Sequence, residues 1–265
     1  MKYFLTLILL TMSSSLLGQV TDWQKYTLEF YQELNLARTN PQDYAKIIEE
    51  LVSSRIISES YVTREVVTTS DGESKINRVL LGLQEGTNAF TEAIEFLKVQ
   101  EPLEPLELSV NISRGSQDHV EDLYKNNITG HISSDGKTSP MERIGRYGLP
   151  VGVTAEVLMF GPNLSPREMV VFLIVDDGVP DRGHRLNIFD PAFTKTGVAC
   201  GEHPTYKRTC GANFAEGYWE DKEMDIGEVL IATDTVILND YREKFKLNQK
   251  INADTKNHKT KVKDF

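Results

Sequence analysis

The chain has 265 residues, enough for one large domain with an ample core. It carries 39 acidic against 29 basic side chains, a formal net charge of −10, which argues against nucleic acid as the main partner. Beyond the N-terminus no run reaches membrane-spanning length, so the chain is expected not to be transmembrane.

Residues 1–18, MKYFLTLILLTMSSSLLG, place Lys2 before an apolar run from Tyr3 to Leu10, followed by small polar residues. That is the layout of a secretory signal peptide, and the run is too short to span a bilayer. An uncleaved N-terminal anchor is the alternative. The expectation is a secreted, extracellular protein. Next, Thr21 and Gln24 form a capping-box pattern ahead of Trp23, Tyr26, Phe30, Leu34 and Ala37 at helical spacing. Pro41 stops this helix, and residues 41–53 restart a short one through Tyr44, Ile47, Ile48 and Leu51. VTREVVTTSDGESKI is β-branched with Asp71-Gly72 as a turn signal, so it reads as a hairpin or an ordered insertion. TNAFTEAIEFLKVQ returns to helix, ended by Pro102 and Pro105.

LSVNISRGSQDHVEDLYKNN reads as another helix, with Leu108, Ile112, Ser116, Val120 and Leu123 on one side, although Gly115 weakens it. GHISSDGKTSPMERIGRYG is a polar loop leading to a short helical turn, and VTAEVLMFG is apolar apart from Glu156. Ser165-Pro166-Arg167-Glu168 combines a capping box with proline at the first helical position and starts a helix that runs to Val175. KTGVACG and KRTCGANFAEG look like two strands. Their Cys200 and Cys210 are the chain's only cysteines, and in an exported protein such a pair reads as one disulfide closing a short loop. A metal-thiolate pair is the weaker alternative, because no second cysteine or nearby histidine pair completes four ligands. From Arg242 onward there are eight basic against three acidic residues, so residues 236–265 read as a basic, flexible C-terminal tail. A weak anchor for anionic surfaces is the livelier alternative. Helices outnumber strands, giving an α+β class with a small, mostly antiparallel sheet.

Four histidines lie outside the tail. His119 falls inside a helix pattern and is expected to be a hydrogen-bonded structural residue. His203, beside Pro204 between the cysteines, is expected to be solvated. His131 and His184 each follow a glycine, and Gly130 and Gly183 would let the backbone turn tightly there. Glu156 is a lone carboxylate in an apolar stretch, and burying it unpaired would cost several kcal/mol, so it needs partners. Two imidazoles and a carboxylate are what an open Zn²⁺ site uses. They can equally form a metal-free hydrogen-bonded cluster. A nucleophilic triad fares worse, since no G-x-S-x-G occurs and the cysteines are better spent on each other.

Taken together, YQELNLARTNP, SQDHVEDL, GHISSDGKTSPMERIGRYG, AEVLMFG and DDGVPDRGHRLNIFDPAFTKTGVACG resemble, in that order, the CAP superfamily of cysteine-rich secretory proteins, venom antigens and plant pathogenesis-related proteins. The resemblance spans roughly residues 25–218. It implies an α-β-α sandwich with a three- or four-stranded antiparallel sheet between helices, and a CAP (SCP-like) domain over residues 19–235. It also implies a cleft with two histidines and two acids. His131 and His184 take the histidine positions and Glu156 the first acid, here followed by Val157 in place of the usual asparagine. For the second acid only Asp176, Asp177 and Asp181 stand just beyond the expected position; Asp176 or Asp177 is the candidate, and capping or turn formation is an equal use for either. The function implied is binding through a cleft that holds a divalent cation, zinc foremost, on His131, His184 and Glu156, with lipid or sterol binding elsewhere on the domain. The alternatives are a metal-dependent or acid/base hydrolase using the same cleft, or a cell-surface interaction module attached by its tail. An extracellular ligand, a lipid or a cell-surface component is the implied partner.

Overall fold

The computed structural model describes residues 22–54, 61–70 and 73–220. The expected signal peptide, Thr21 of the first capping pattern, the Asp71-Gly72 turn and the basic tail lie outside these residues. Helix α1 (Asp22–Thr39) buries Phe30, Leu34 and Ala37 completely, as their spacing predicts. Asn40 separates it from α2 (Pro41–Ser54), which begins with the Asn40 carbonyl accepting the Tyr44 N–H. Proline at the first helical position loses no bond there, so Pro41 starts the second helix as well as stopping the first. Strands β1 (Tyr61–Ser70) and β2 (Glu73–Gly82) pair only with each other, antiparallel, in the expected hairpin. Helix α3 (Thr87–Val99) follows, with Phe90, Ala93 and Leu97 buried.

The main sheet has four strands in the order β3-β5-β6-β4, formed by β3 (Glu107–Leu108), β4 (Gly148–Phe160), β5 (Lys195–His203) and β6 (Lys207–Glu220). Three of its strands are antiparallel and β3 runs parallel to β5, so the sheet is mixed and mostly antiparallel, as expected. A parallel neighbour needs a crossover, and the chain from α4 through α7 supplies it.

Alternation along the strands sends successive side chains to opposite faces. On one face Val157, Val198, Cys200, Ala212 and Phe214 join the large core built by α1, α2, α3 and α6 (Pro166–Val175). On the other, Ala215 and Tyr218 meet Ile112 of α4 (Val110–Asn126) and Ile144 of α5 (Pro140–Ile144). The result is the α-β-α sandwich. Gly115, which weakens α4 as an isolated helix, is what lets α5 approach: a Cβ there would stand 2.8 Å from Ile144 Cα. Cys200 and Cys210 face each other in the β5–β6 register and are disulfide-bonded, with their Cα atoms 4.1 Å apart.

His203 is not solvated. The β5–β6 tip folds back over the end of α4, leaving the residue 2% exposed. Its Nε2 donates to the Ile128 carbonyl (2.9 Å), Nδ1 accepts from the Thr205 and Tyr206 amides, and its ring packs edge-on against Phe160. Among the described residues no helix is long and apolar enough to cross a membrane.

Candidate functional site

One half of the site is built around Glu156, in the middle of β4. Across the sheet it faces Asn213 of β6, whose Nδ2 donates to Glu156 Oε2 at 3.1 Å. The same oxygen accepts from Arg143 Nη2 at 2.7 Å, and Oε1 accepts from His131 Nδ1 at 2.9 Å. Arg143 comes from α5, whose start is set by Ser139 and Glu142 in a capping box. Its Nη1 donates to the His131 carbonyl (3.0 Å), Ser133 Oγ (3.1 Å) and the Thr138 carbonyl (3.2 Å), closing the loop that carries His131. Burial pushes the Glu156 carboxyl up, and the His131 hydrogen bond with the Arg143 charge more than offsets it, so the group lies below the ordinary carboxylate value. Glu156 is therefore the buried, multiply partnered carboxylate its position demands.

Gly130, at φ 98°, makes the tight turn its sequence promised. Its carbonyl accepts from His119 Nε2 at 2.9 Å, which ties the residue before His131 to α4. Burial lowers the affinity of His119 for a proton, so it sits in the core as a neutral, hydrogen-bonded residue.

The other half is more local. Helix α6 ends at Asp176, a left-handed C-cap (φ 56°, ψ 42°). Aspartate tolerates that conformation better than most residues. After the Asp177–Arg182 turn the chain enters α7 (Gly183–Ile188). There Asp176 Oδ2 accepts the His184 backbone N–H (2.9 Å) and Oδ1 accepts from His184 Nδ1 (2.6 Å). Gly183 is not the pivot that was expected. The left-handed residue is Arg182 (φ 52°), because Gly183 already belongs to the helix.

The structure thus gathers His131, Glu156, His184 and Asp176, with the two imidazole centroids 6.4 Å apart. Asp177 points elsewhere: its carboxylate accepts the Gln84 and Glu85 amides at 2.7 and 2.8 Å. Both histidines are held alike. Each gives its Nδ1 proton to a carboxylate whose side chain is at most 2% exposed, while the imidazoles are 45% (His131) and 24% (His184) exposed. In the neutral ring this selects the Nδ1–H tautomer and leaves Nε2 as the nitrogen with a lone pair to offer. Among the described residues no three His, Cys, Asp or Glu side chains are arranged to enclose a metal ion. Arg143, Asn213 and Arg182 escaped the sequence reading; the need of Glu156 for a cationic partner was the one signal pointing toward Arg143.

Residues 99–215 match the model of the cysteine-rich secretory protein family, CAP. No curated protein matches the chain. Among solved structures, an extracellular protein of Bacillus anthracis str. Ames containing an SCP domain is similar at 13% identity and a TM-score of 0.37, over 63% of this chain and 70% of that one. An outer surface protein of Borrelia burgdorferi is similar at 18% identity and a TM-score of 0.36, over 43% of this chain and 78% of its own. The matched span contains both histidines, their carboxylates and the whole main sheet but for residues 216–220 at the end of β6, so it is this region of the chain that is similar to CAP domains.

Proposed function

We propose that this protein works outside the cell as a binding protein whose cleft takes a divalent cation, zinc being the best chemical match, on Nε2 of His131 and of His184. The observation that supports it is the pairing of two partly exposed imidazoles, 6.4 Å apart between centroids, each with Nδ1 committed to a buried carboxylate. Metal-ligating histidines are held this way: the carboxylate orients the ring and raises the basicity of the free nitrogen. At about 2.0–2.1 Å per bond, one tetrahedral ion on both Nε2 atoms would require the two rings to close by about 1 Å. In this reading Glu156 supports His131 from behind and is not itself a ligand, since its oxygens already serve His131, Arg143 and Asn213. A bound cation would supply a Lewis-acid centre with positions open to water or to an anionic group of the ligand.

Calorimetric titration of chelator-treated protein with ZnCl₂ tests this. One ion per chain should bind, with release of protons as the pH is lowered. His131→Ala and His184→Ala should each abolish binding, because each removes one of the two ligating nitrogens. Absence of binding by the parent protein would leave the histidines as a structural cluster. Hydrolysis of a generic protein substrate, lost in the same two variants, would favour the hydrolase alternative.

A further inference from the structure

Arg182 stands two residues before His184 in the left-handed region, at φ 52°, where a side chain other than glycine is strained. Such a conformation persists only where the surroundings over-determine it. Here they do. The side chain is 11% exposed, and its planar fork is fully engaged. Nη1 donates to Glu85 Oε1 (2.6 Å) and to the carbonyls of Asp176 (2.8 Å) and Val179 (3.1 Å). Nη2 donates to Glu85 Oε2 (2.7 Å) and Glu92 Oε2 (2.6 Å), and Nε meets both Glu92 oxygens at 3.1 Å.

One guanidinium therefore closes the Asp176–Arg182 turn on itself and staples it to α3 and the residues just before that helix. Those residues reciprocate, with the Gln84 and Glu85 amides on Asp177 and the Gly178 amide on Glu85 Oε1 at 2.8 Å. Arg185 adds a second tie: Nη1 reaches Glu92 at 2.7 Å, while Nε and Nη2 cap the Ile174 and Val175 carbonyls at the end of α6. The turn held in this way is the one that spaces Asp176 from His184.

We propose that Arg182, braced by Glu85 and Glu92, is a positioning residue for His184: it keeps the turn closed so that Nδ1 stays on Asp176 and Nε2 faces the cleft. The consequence for zinc rests on the cation reading above; the orientation of the ring does not. A planar five-donor fork is required, which a lysine ammonium does not reproduce.

The test uses the full chain and reads the two imidazoles separately by ¹⁵N NMR. In the parent protein both rings should be Nδ1–H tautomers. Arg182→Gly keeps the left-handed backbone without strain and removes the fork, so it should fold. His184 should then shift toward a mixture with the Nε2–H form, while His131 stays unchanged. Arg182→Lys should recover only part of the parent signature, and zinc affinity should fall about tenfold in Arg182→Gly, following the usual cost of losing an outer support of a ligating histidine. An unchanged His184 tautomer in folded Arg182→Gly would overturn the proposal and leave Arg182 as a stabilising brace. A shifted tautomer in a protein that binds no zinc would uphold the positioning and defeat the cation reading. Should Arg182→Gly fail to fold, Glu92→Gln, which leaves Arg182 on Glu85 and the carbonyls, must give a smaller shift of the same sign. No shift there overturns the proposal equally.

Discussion

The two histidines reach the same chemical condition by opposite routes. His131 borrows its carboxylate from 25 residues away, in the middle of a strand, and the link exists only because β4 pairs with β6 and α5 docks on α4. His184 borrows its carboxylate from eight residues away, across a turn that closes on itself, and an arginine clamps that turn from outside. One half is a product of the whole fold; the other is a local loop with a brace. Damage to the packing around α4 and the sheet should therefore reach His131 first, and damage to the ion pairs of α3 should reach His184 alone.

The strongest way to break this contrast is Arg143→Met. It removes the cation from a carboxylate whose side chain is 1% exposed and frees three loop acceptors at once. Losing one partner of a buried pair costs about 3–5 kcal/mol. Denaturant unfolding should show a loss of that size, and the His131 imidazole should lose its Nδ1–H preference while His184 keeps its own. A loss of less than about 1 kcal/mol, the range of a surface pair, would mean that Glu156 is satisfied without Arg143.

Next comes the disulfide. Cys210 lies opposite both Cys200 on β5 and Met159 on β4, three residues from Glu156. Closing so short a loop contributes on the order of 2–3 kcal/mol in the chain-entropy account. The Cys200→Ala/Cys210→Ala double variant should lose stability in that range, and the sheet-borne His131 half should show the disturbance. Equal disturbance at His184 would contradict the division.

What could be read from the chain follows the same line. Glu156 was legible because a carboxylate in an apolar strand must find partners, and His131 because a glycine precedes it in a polar loop. Asp176 was legible only as one of two acids. The left-handed cap turns the chain between them, sending Asp176 to His184 and Asp177 to the Gln84 and Glu85 amides. Nothing in the order of residues announces that reversal. Arg143 and Arg182 were hidden for a related reason: in a polar loop, a buried arginine and a solvated one look alike. His203 misled because a polar hairpin tip suggests exposure, and residues 204–207 are exposed, but the His203 ring turns inward to the Ile128 carbonyl just beyond α4. Strand β3, at two residues, is too short to carry any periodic signal.

A sharper probe of the packed half is Gly115→Ala. The added methyl would stand 2.8 Å from Ile144 Cα, a backbone atom that moves only if α5 moves. Overpacking of this kind typically costs about 1–3 kcal/mol. Because α5 carries Arg143, the shift should loosen the His131 loop as well as lower the melting temperature. A loss of stability with both imidazole signatures unchanged would show that α5 absorbs the methyl by moving as a body with its loop.

The smallest effect expected is the pH dependence of the clamped half. Hydrogen bonds from Arg182 hold the Glu85 and Glu92 carboxyls at about 2, below the ordinary 4.5, helped by the Gly178 amide at Glu85 and by Arg185 at Glu92. A carboxyl lowered in the folded state stabilises the fold above its unfolded value and loses that contribution as the pH falls through its folded value. The clamp should therefore be complete above about pH 5, weaken progressively below it, and be gone near pH 2. Glu156 is lowered too, so total stability will fall in acid for reasons beyond the clamp, and the comparison must be made between variants. Glu92→Gln removes one titrating partner, so its stability should decline less steeply than that of the parent protein as the pH falls from 4.5, although it starts lower at neutral pH. Added salt should narrow the difference, because Glu92 is 48% exposed. Parallel acid curves for the two proteins would show that Glu92 does not couple its protonation to folding, and the clamp would then rest on Glu85 and the carbonyls of the turn.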